Sequence, residues 1–184
     1  MSRVKLSAIV SSMSPNVRTN LRRSHEDAEA FTGRLTNLRQ DIAARQDTSG
    51  DKFTIELDGH TLDNRGIAGE LILRLAEKLK NRFGDDVRIG RFAGFDLFLR
   101  PSFNNTVEVI VRGKITYAAR VTDTALGTIR SLEATVQGFE ERAGKLDADI
   151  TDSHKRAMEL EAKVGAPFEK EERYQEFEPP SEQD

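Results

Sequence analysis

Apolar residues in the second half of the chain recur at alternating steps of three and four. This is the spacing of the a and d positions of a coiled-coil helix, whose narrow apolar stripe packs against a partner helix. Charged residues fill most positions between them, so the other faces are expected to face water. The pattern predicts one long helix over 124–166, with its stripe at Ile129, Leu132, Val136, Phe139, Ala143, Leu146, Ile150, Ser153, Ala157, Leu160 and Val164.

A second stripe of the same kind predicts a helix within 1–47. Ser14 and Pro15 are typical of an N-cap and a first helical position, and Asp47 to Gly50 are typical of a helix end. Apolar residues within 1–13 form either a short helix against the C-terminal helix or a frayed start. The stripe consists of Val17, Leu21, Ser24, Ala28, Phe31, Leu35, Leu38 and Ile42.

Residues 51–123 change to the alternating pattern of half-buried strands. Asp58-Gly59 is a strong hairpin signal, and a helix is expected from Asp63 or Asn64 to Phe83, ended by Gly84. Its inner face is predicted at Ile67, Leu71, Leu75 and Leu79. The strands are predicted at 53–57, 60–62, 87–92, 95–100, 106–111 and 114–121, with one inner set: Phe95, Leu97, Leu99, Val107, Val109, Val111, Ile115, Tyr117 and Ala119.

These elements predict an α+β protein. Its antiparallel two-helix coiled-coil stalk (1–47 with 124–166) carries a small head (51–123) of antiparallel strands and one helix. Two helices packed separately on the head, or a homodimeric coil, are the alternatives. Residues 1–50 hold eight Lys and Arg against five Asp and Glu, whereas residues 124–184 hold eight against fifteen, which favours pairing of the two helices. Gly165-Ala166-Pro167 predicts the end of the long helix, and 167–184 is predicted to be an acidic, partly disordered tail with a short helix over 168–178.

Composition excludes several function classes. The chain contains no cysteine, so it offers neither disulfides nor thiolate chemistry. No apolar run approaches the ~20 residues of a membrane span, and no signal-peptide core is present, so we expect a cytoplasmic protein without a membrane partner.

Several short segments, in this order along the chain, resemble the C-terminal region of large helicase proteins of phages, plasmids and conjugative elements. In that family a superfamily-two-type helicase is often fused to an N6-adenine DNA methyltransferase. The resemblance covers about 51–177, and its motifs are glycines and apolar residues, which are diagnostic of a fold. The segments are Ala68-Gly69-Glu70, Ile89 to Phe95, Val111-Arg112-Gly113, Thr124 to Glu133 and Pro167-Phe168-Glu169.

The resemblance implies an accessory region without the motor. The family's P-loop, acidic metal-binding motif and methyltransferase tetrapeptide have no counterpart in this chain. We therefore expect a non-catalytic interaction module that contacts DNA, or a helicase or methyltransferase core in cis or in trans, through the head. The alternative is a structural coiled-coil protein that forms a homodimer and does not bind nucleic acid.

Basic and aromatic residues on the head strands are the candidate nucleic-acid-binding site. Arginines neutralise phosphates and outward-facing aromatic rings stack on bases. The alternative is that the two rings pack inward and the arginines are merely solvated. The candidate residues are Arg88, Arg91, Phe92, Phe98, Arg100, Arg112 and Lys114, with Arg120 nearby.

The other polar motifs favour structural roles. His25 and His154 lie on the two long helices and lack the spacing of a metal-ligand pair, and His60 follows a turn. Gly90, Gly94 and Gly113 lie between strands rather than before a helix, where a phosphate loop would need them. No catalytic set, metal site or cofactor is predicted.

Overall fold

The computed structural model describes residues 13–175, with side chains up to Val164. This part of the chain contains four helices and a six-stranded antiparallel sheet, which confirms the predicted α+β class. The helices are α1 (Pro15–Ala44), α2 (Arg65–Leu79), α3 (Ala125–Gln137) and α4 (Phe139–Gln175). The strands are β1 (Ile55–Leu57), β2 (His60–Leu62), β3 (Val87–Phe92), β4 (Phe95–Pro101), β5 (Val107–Arg112) and β6 (Thr116–Arg120).

The sheet has the strand order β2-β1-β3-β4-β5-β6, in which β3 to β6 form a meander and β1 pairs with both β2 and β3. Its first hairpin turns at Asp58-Gly59, where φ is 50° and 79°, and the second turns at Ala93-Gly94, where φ is 53° and 88°. Positive φ at both central residues is the requirement of a type I′ turn, whose twist matches that of the flanking strands. The Asp-Gly signal in the sequence was therefore sufficient to predict the first hairpin.

The inner face of the sheet is the one that the alternation predicts. Leu97, Leu99, Val109 and Val111 are completely buried, and the rest of the predicted inner set is buried except for Ile115, which is half-buried. The start of α4 packs on this face, where Phe139 contacts both Phe95 and Tyr117, and the end of α1 reaches it through Asp41, which accepts a hydrogen bond from the Tyr117 hydroxyl.

The buried face of α2 differs from the predicted one. Ala68, Ile72 and Ala76 are buried, whereas Ile67 is 55% exposed. The reason is close packing on α3: a Cβ at Gly69 would overlap the backbone of Ala125, so only a face of small residues fits there. Large apolar side chains dominated the prediction, but short ones determine this contact.

The helix α2 also ends earlier than predicted. It begins after Asn64, whose side chain accepts a hydrogen bond from the Ile67 amide, and it ends at Leu79 rather than at Phe83. Asn81 takes the left-handed conformation, with φ 64°, so that an asparagine and not Gly84 turns the chain away.

The predicted helix over 124–166 is two helices. It breaks at Gly138, where ψ is 8°, and α3 packs on α2 and β6 as a second helix of the head. The prediction that Pro167 ends the helix is also wrong, since α4 continues to Gln175. A proline inside a helix removes one hydrogen bond but leaves those on either side available. The expectations for 1–12, for the last residues of the short helix and for 179–184 lie outside the described residues.

The chain divides into two compact units. One consists of residues 34–145 and contains the whole sheet, α2 and α3. The other combines residues 13–33, which include the first part of α1, with the part of α4 that begins at Leu146. The limits of these units fall inside α1 and α4 and do not test the predicted domain boundaries, which stay a prediction.

In the helical unit, the two segments lie side by side. Ser24, Ala28, Ser153 and Ala157 are buried, and His25 Nε2 lies 3.6 Å from Glu161 Oε1. The four buried residues are predicted stripe positions, so burial follows the predicted pattern here. A coiled-coil stalk is not established by this packing and stays a prediction. No helix within 13–175 is long and apolar enough to cross a membrane.

Candidate nucleic-acid interface

The outer face of the sheet carries most of the predicted site. We call this surface the open sheet face. Its residues project from β3 to β6 on the side opposite the buried inner set. They are Arg88, Arg91, Asp96, Phe98, Arg100, Glu108, Ile110, Arg112, Thr116, Ala118 and Arg120.

Strand register arranges the face in three rows. Each row runs across the strands from one neighbour to the next. The first row is Arg91, Asp96, Arg112 and Thr116, and the middle row is Arg88, Phe98, Ile110 and Ala118. The last row is Arg100, Glu108 and Arg120. The centre is therefore apolar and both flanks are charged. Ile110 is completely buried beneath its neighbours, although it lies on the outer side of the sheet.

A bulge in β3 brings Arg88 and Arg91 to the same face. They are three residues apart, and residues with an odd separation would lie on opposite faces of a regular strand. The register shifts between Arg88 and Gly90, where a Cβ at Gly90 would overlap the carbonyl oxygen of Glu56. Glycine is therefore required at this bulge.

Two arginines share Asp86. Arg100 donates from Nε and Nη2 to its two oxygens at 2.7 and 2.8 Å, and Arg112 Nη2 donates at 2.5 Å. The Asp86 side chain is 16% exposed, whereas the arginines are 43% and 41% exposed. Hydrogen bonds from Arg100 hold the pKa of Asp86 below its usual range, with the charge of Arg112 adding to the effect, so the carboxylate stays ionised.

Two further arginines share Asp96. Arg88 Nη2 donates to Asp96 Oδ1 at 3.1 Å, and Arg91 Nε lies 3.7 Å from the same oxygen. Arg91 also donates to the carbonyl oxygen of Gly94 at 3.2 Å. Each carboxylate thus holds two guanidinium groups, and each cluster has one positive charge in surplus.

The predicted aromatic residues behave differently from each other. Phe98 lies on the open sheet face, but the Arg112 guanidinium carbon is 3.8 Å from its ring centre and covers one side of the ring. Phe92 is 1% exposed on the inner side, with its ring 5.8 Å from that of Phe53. Phe92 therefore cannot stack on a base, and its assignment to the site is wrong.

Lys114 lies in the turn between β5 and β6, where its side chain is exposed. Its backbone amide and that of Ile115 donate to the Asp41 carboxylate at 2.7 and 3.0 Å. The Tyr117 hydroxyl donates to the same carboxylate at 2.8 Å. Burial raises the pKa of Tyr117, and the hydrogen bond to Asp41 raises it further, so the hydroxyl stays a donor.

This contact fixes the hairpin that carries Arg112. Gly113 precedes the turn, and a Cβ there would overlap the Asp41 carboxylate, so the hairpin packs closely on the end of α1. Arg45 at the end of α1 donates to the carbonyl oxygen of Val136 at 2.8 Å and pairs with Glu140. Nothing in the sequence pattern identified Asp41 or Asp86.

The remaining candidates show no catalytic arrangement. His60 Nδ1 lies 3.0 Å from the carbonyl oxygen of Asp58, within its turn. No group of three histidine or acidic side chains within the described part of the chain is placed to hold a metal ion. Compared with known proteins, the chain matches no protein-family model, no curated protein and no solved structure.

Proposed function

We propose that the chain is a non-catalytic module that binds nucleic acid through the open sheet face, as an accessory part of a DNA-processing protein of the helicase or methyltransferase kind. The observation that carries the proposal is the pair of clusters in which two arginines share one carboxylate. The resemblance in the sequence supplies the type of host protein, and that part of the proposal depends on it alone.

The clusters suit phosphate recognition because the carboxylates hold the arginines in position and leave some of their N–H donors available. A guanidinium group has five N–H donors, and the contacts to Asp86 occupy two from Arg100 and one from Arg112. The remaining donors are on half-exposed side chains held in place by the carboxylate. A phosphate therefore meets prearranged donors and a local surplus of positive charge.

The positive charge is local rather than general. The five arginines of the open sheet face stand near Asp86, Asp96, Glu108 and Glu56, which projects on the same side from β1. Since cations outnumber anions by one only, we expect few phosphate contacts and moderate affinity. Binding should be measurable at low salt and weak at physiological salt.

Fluorescence polarisation with labelled DNA over a range of KCl concentrations tests the proposal. The variant Arg88→Ala/Arg91→Ala should weaken binding, and it should reduce the slope of log K against log salt by about 1.4 for a single strand, since each phosphate contact contributes about 0.7. The matched control Arg74→Ala/Arg130→Ala removes two exposed arginines from α2 and α3 and should leave both quantities almost unchanged. Absence of binding at the lowest salt concentration, or equal effects of the two double variants, contradicts the proposal.

A second candidate function is self-association through α4. Ile150, His154, Met158 and Ala162 follow each other at four-residue steps and line a shallow recess, and Met158 is 69% exposed. A second copy covering this stripe would appear as a dimer in light scattering. Met158→Glu should then give a monomer, whereas a monomeric wild-type chain excludes this function.

A further inference from the structure

Two phenylalanine rings project from neighbouring loops at the end of the sheet where β3 begins and β4 ends. Phe83 lies between α2 and β3, and Phe103 lies between β4 and β5. They are 77% and 89% exposed, and their ring centres are 5.6 Å apart. The Asn81 amide donates to Asn105 Oδ1 at 3.0 Å and joins the two loops. The rings therefore form an exposed aromatic pair on connected loops.

Folding does not explain this pair. Side chains with more than three-quarters of their surface in water gain little from burial, so polar residues would serve the fold equally well. A single exposed apolar residue is ordinary, but two highly exposed aromatic rings in contact with each other form a patch. Such a patch indicates contact with another molecule.

The charge around the pair indicates which molecule. Asp86 follows Phe83 by three residues, and Arg100, which pairs with Asp86, precedes Phe103 by three residues. The Asp86 cluster with its surplus positive charge thus stands at the base of both loops. A ligand that covers both features needs anionic groups for the arginines and flat apolar groups for the rings, and a nucleic-acid strand has both.

The ligand has to be single-stranded, because bases in a duplex are stacked on each other and do not offer their faces to protein rings. Phe98 offers less surface for stacking than these two rings, since Arg112 covers one side of its ring. We propose that the open sheet face binds single-stranded nucleic acid, with phosphates at the Asp86 and Asp96 clusters and with bases stacked on Phe83 and Phe103. This inference rests on the proposed function and specifies its ligand.

The test compares a labelled 20-nucleotide thymidine strand with a 20-base-pair duplex of mixed sequence. The wild-type chain should bind the single strand at least about tenfold more tightly than the duplex. Phe83→Ala/Phe103→Ala should weaken binding of the strand by about tenfold or more, with an unchanged salt slope and unchanged duplex binding. The matched control, Ile67→Ala/Leu126→Ala, removes two exposed apolar side chains from α2 and α3 and should bind like the wild type.

The two proposals fail in different ways. If the phenylalanine variant binds the strand as tightly as the wild type while Arg88→Ala/Arg91→Ala weakens binding, the inference is overturned and the proposed function stands. If the wild type binds neither strand nor duplex, both are overturned. A wild-type dimer that becomes monomeric in Phe83→Ala/Phe103→Ala, with unchanged DNA binding, would assign the rings to a second copy and overturn the inference.

Discussion

Asp41 is 2% exposed at the end of α1, and its carboxylate accepts three hydrogen bonds from the hairpin that joins β5 and β6. Two of the donors are backbone amides of a turn, which have no strand partner. A buried carboxylate is costly unless it is hydrogen-bonded in this way, and unpaired buried donors are costly too. The residue and the turn therefore depend on each other.

Asp41→Ala should destabilise the protein by about 3 kcal/mol, because it leaves two amides and the Tyr117 hydroxyl without an acceptor. Tyr117→Phe should cost less, about 1 kcal/mol, since Asp41 keeps its two amide donors. Urea unfolding followed by circular dichroism measures both changes. Glu29→Ala, an exposed position on the same helix, is the control and should stay within about 0.5 kcal/mol of the wild type. A comparably small effect of Asp41→Ala would show that the turn does not depend on the carboxylate.

Individual residues also show which parts of the candidate site the sequence pattern predicts and which it does not. The alternation along β4 and β5 was enough to place Phe98, Arg100 and Arg112 on one face, because side chains in a regular strand alternate strictly. Asp86 could not be found in this way, since it lies in a loop, where no periodicity relates a residue to a face. Phe92 was misplaced because the bulge between Arg88 and Gly90 reverses the alternation, so Arg91 faces outward and Phe92 inward.

At the scale of elements, the sequence predicted where helices and strands occur better than it predicted how they pack. The stripes placed α1 and the strands within a few residues, because long periodic segments give a clear signal. The packing of α2 on α3 was not predictable from large apolar residues, since three of the four buried residues of α2 are Ala68, Gly69 and Ala76, and Gly69 lies against the Ala125 backbone. Close approach of two helix backbones depends on the absence of side chains, which carries no hydropathy signal.

This packing predicts opposite effects for the same substitution in two helices. Gly69→Ala should destabilise the protein by about 2 kcal/mol, since the added methyl group overlaps the Ala125 backbone and outweighs the better helix propensity of alanine. Gly144→Ala, in α4, should stabilise it by about 0.5–1 kcal/mol, because nothing lies within 4 Å of the new methyl group. Thermal unfolding of the two variants measures both signs. Equal stabilisation by both would mean that α2 and α3 are not in close contact.

In the whole molecule, the two units differ in the size of the side chains that they bury. The unit of 34–145 buries large side chains such as Leu57, Leu97 and Phe139 completely. Among the side chains described in 13–33 and 146–164, the helical unit buries Met13 and four small ones, Ser24, Ala28, Ser153 and Ala157, and the Ser153 hydroxyl has no hydrogen-bond partner among the described residues. Since burial of apolar area is the main stabilising contribution, the helical unit should open more easily.

Hydrogen exchange followed by mass spectrometry tests this difference in the full chain. Amides in 15–33 and 146–164 should exchange at least about tenfold faster than those in β3 to β5, because local opening needs less free energy where less apolar area is buried. Ser153→Ala should slow exchange in the helical unit alone, since it removes an unsatisfied buried hydroxyl and alanine favours helix. The control Thr151→Ala, at an exposed position of the same helix, should change it less. Equal protection along the whole chain would instead mean that sheet and helices open together, and that the long helices are stabilised by more than the small side chains between them.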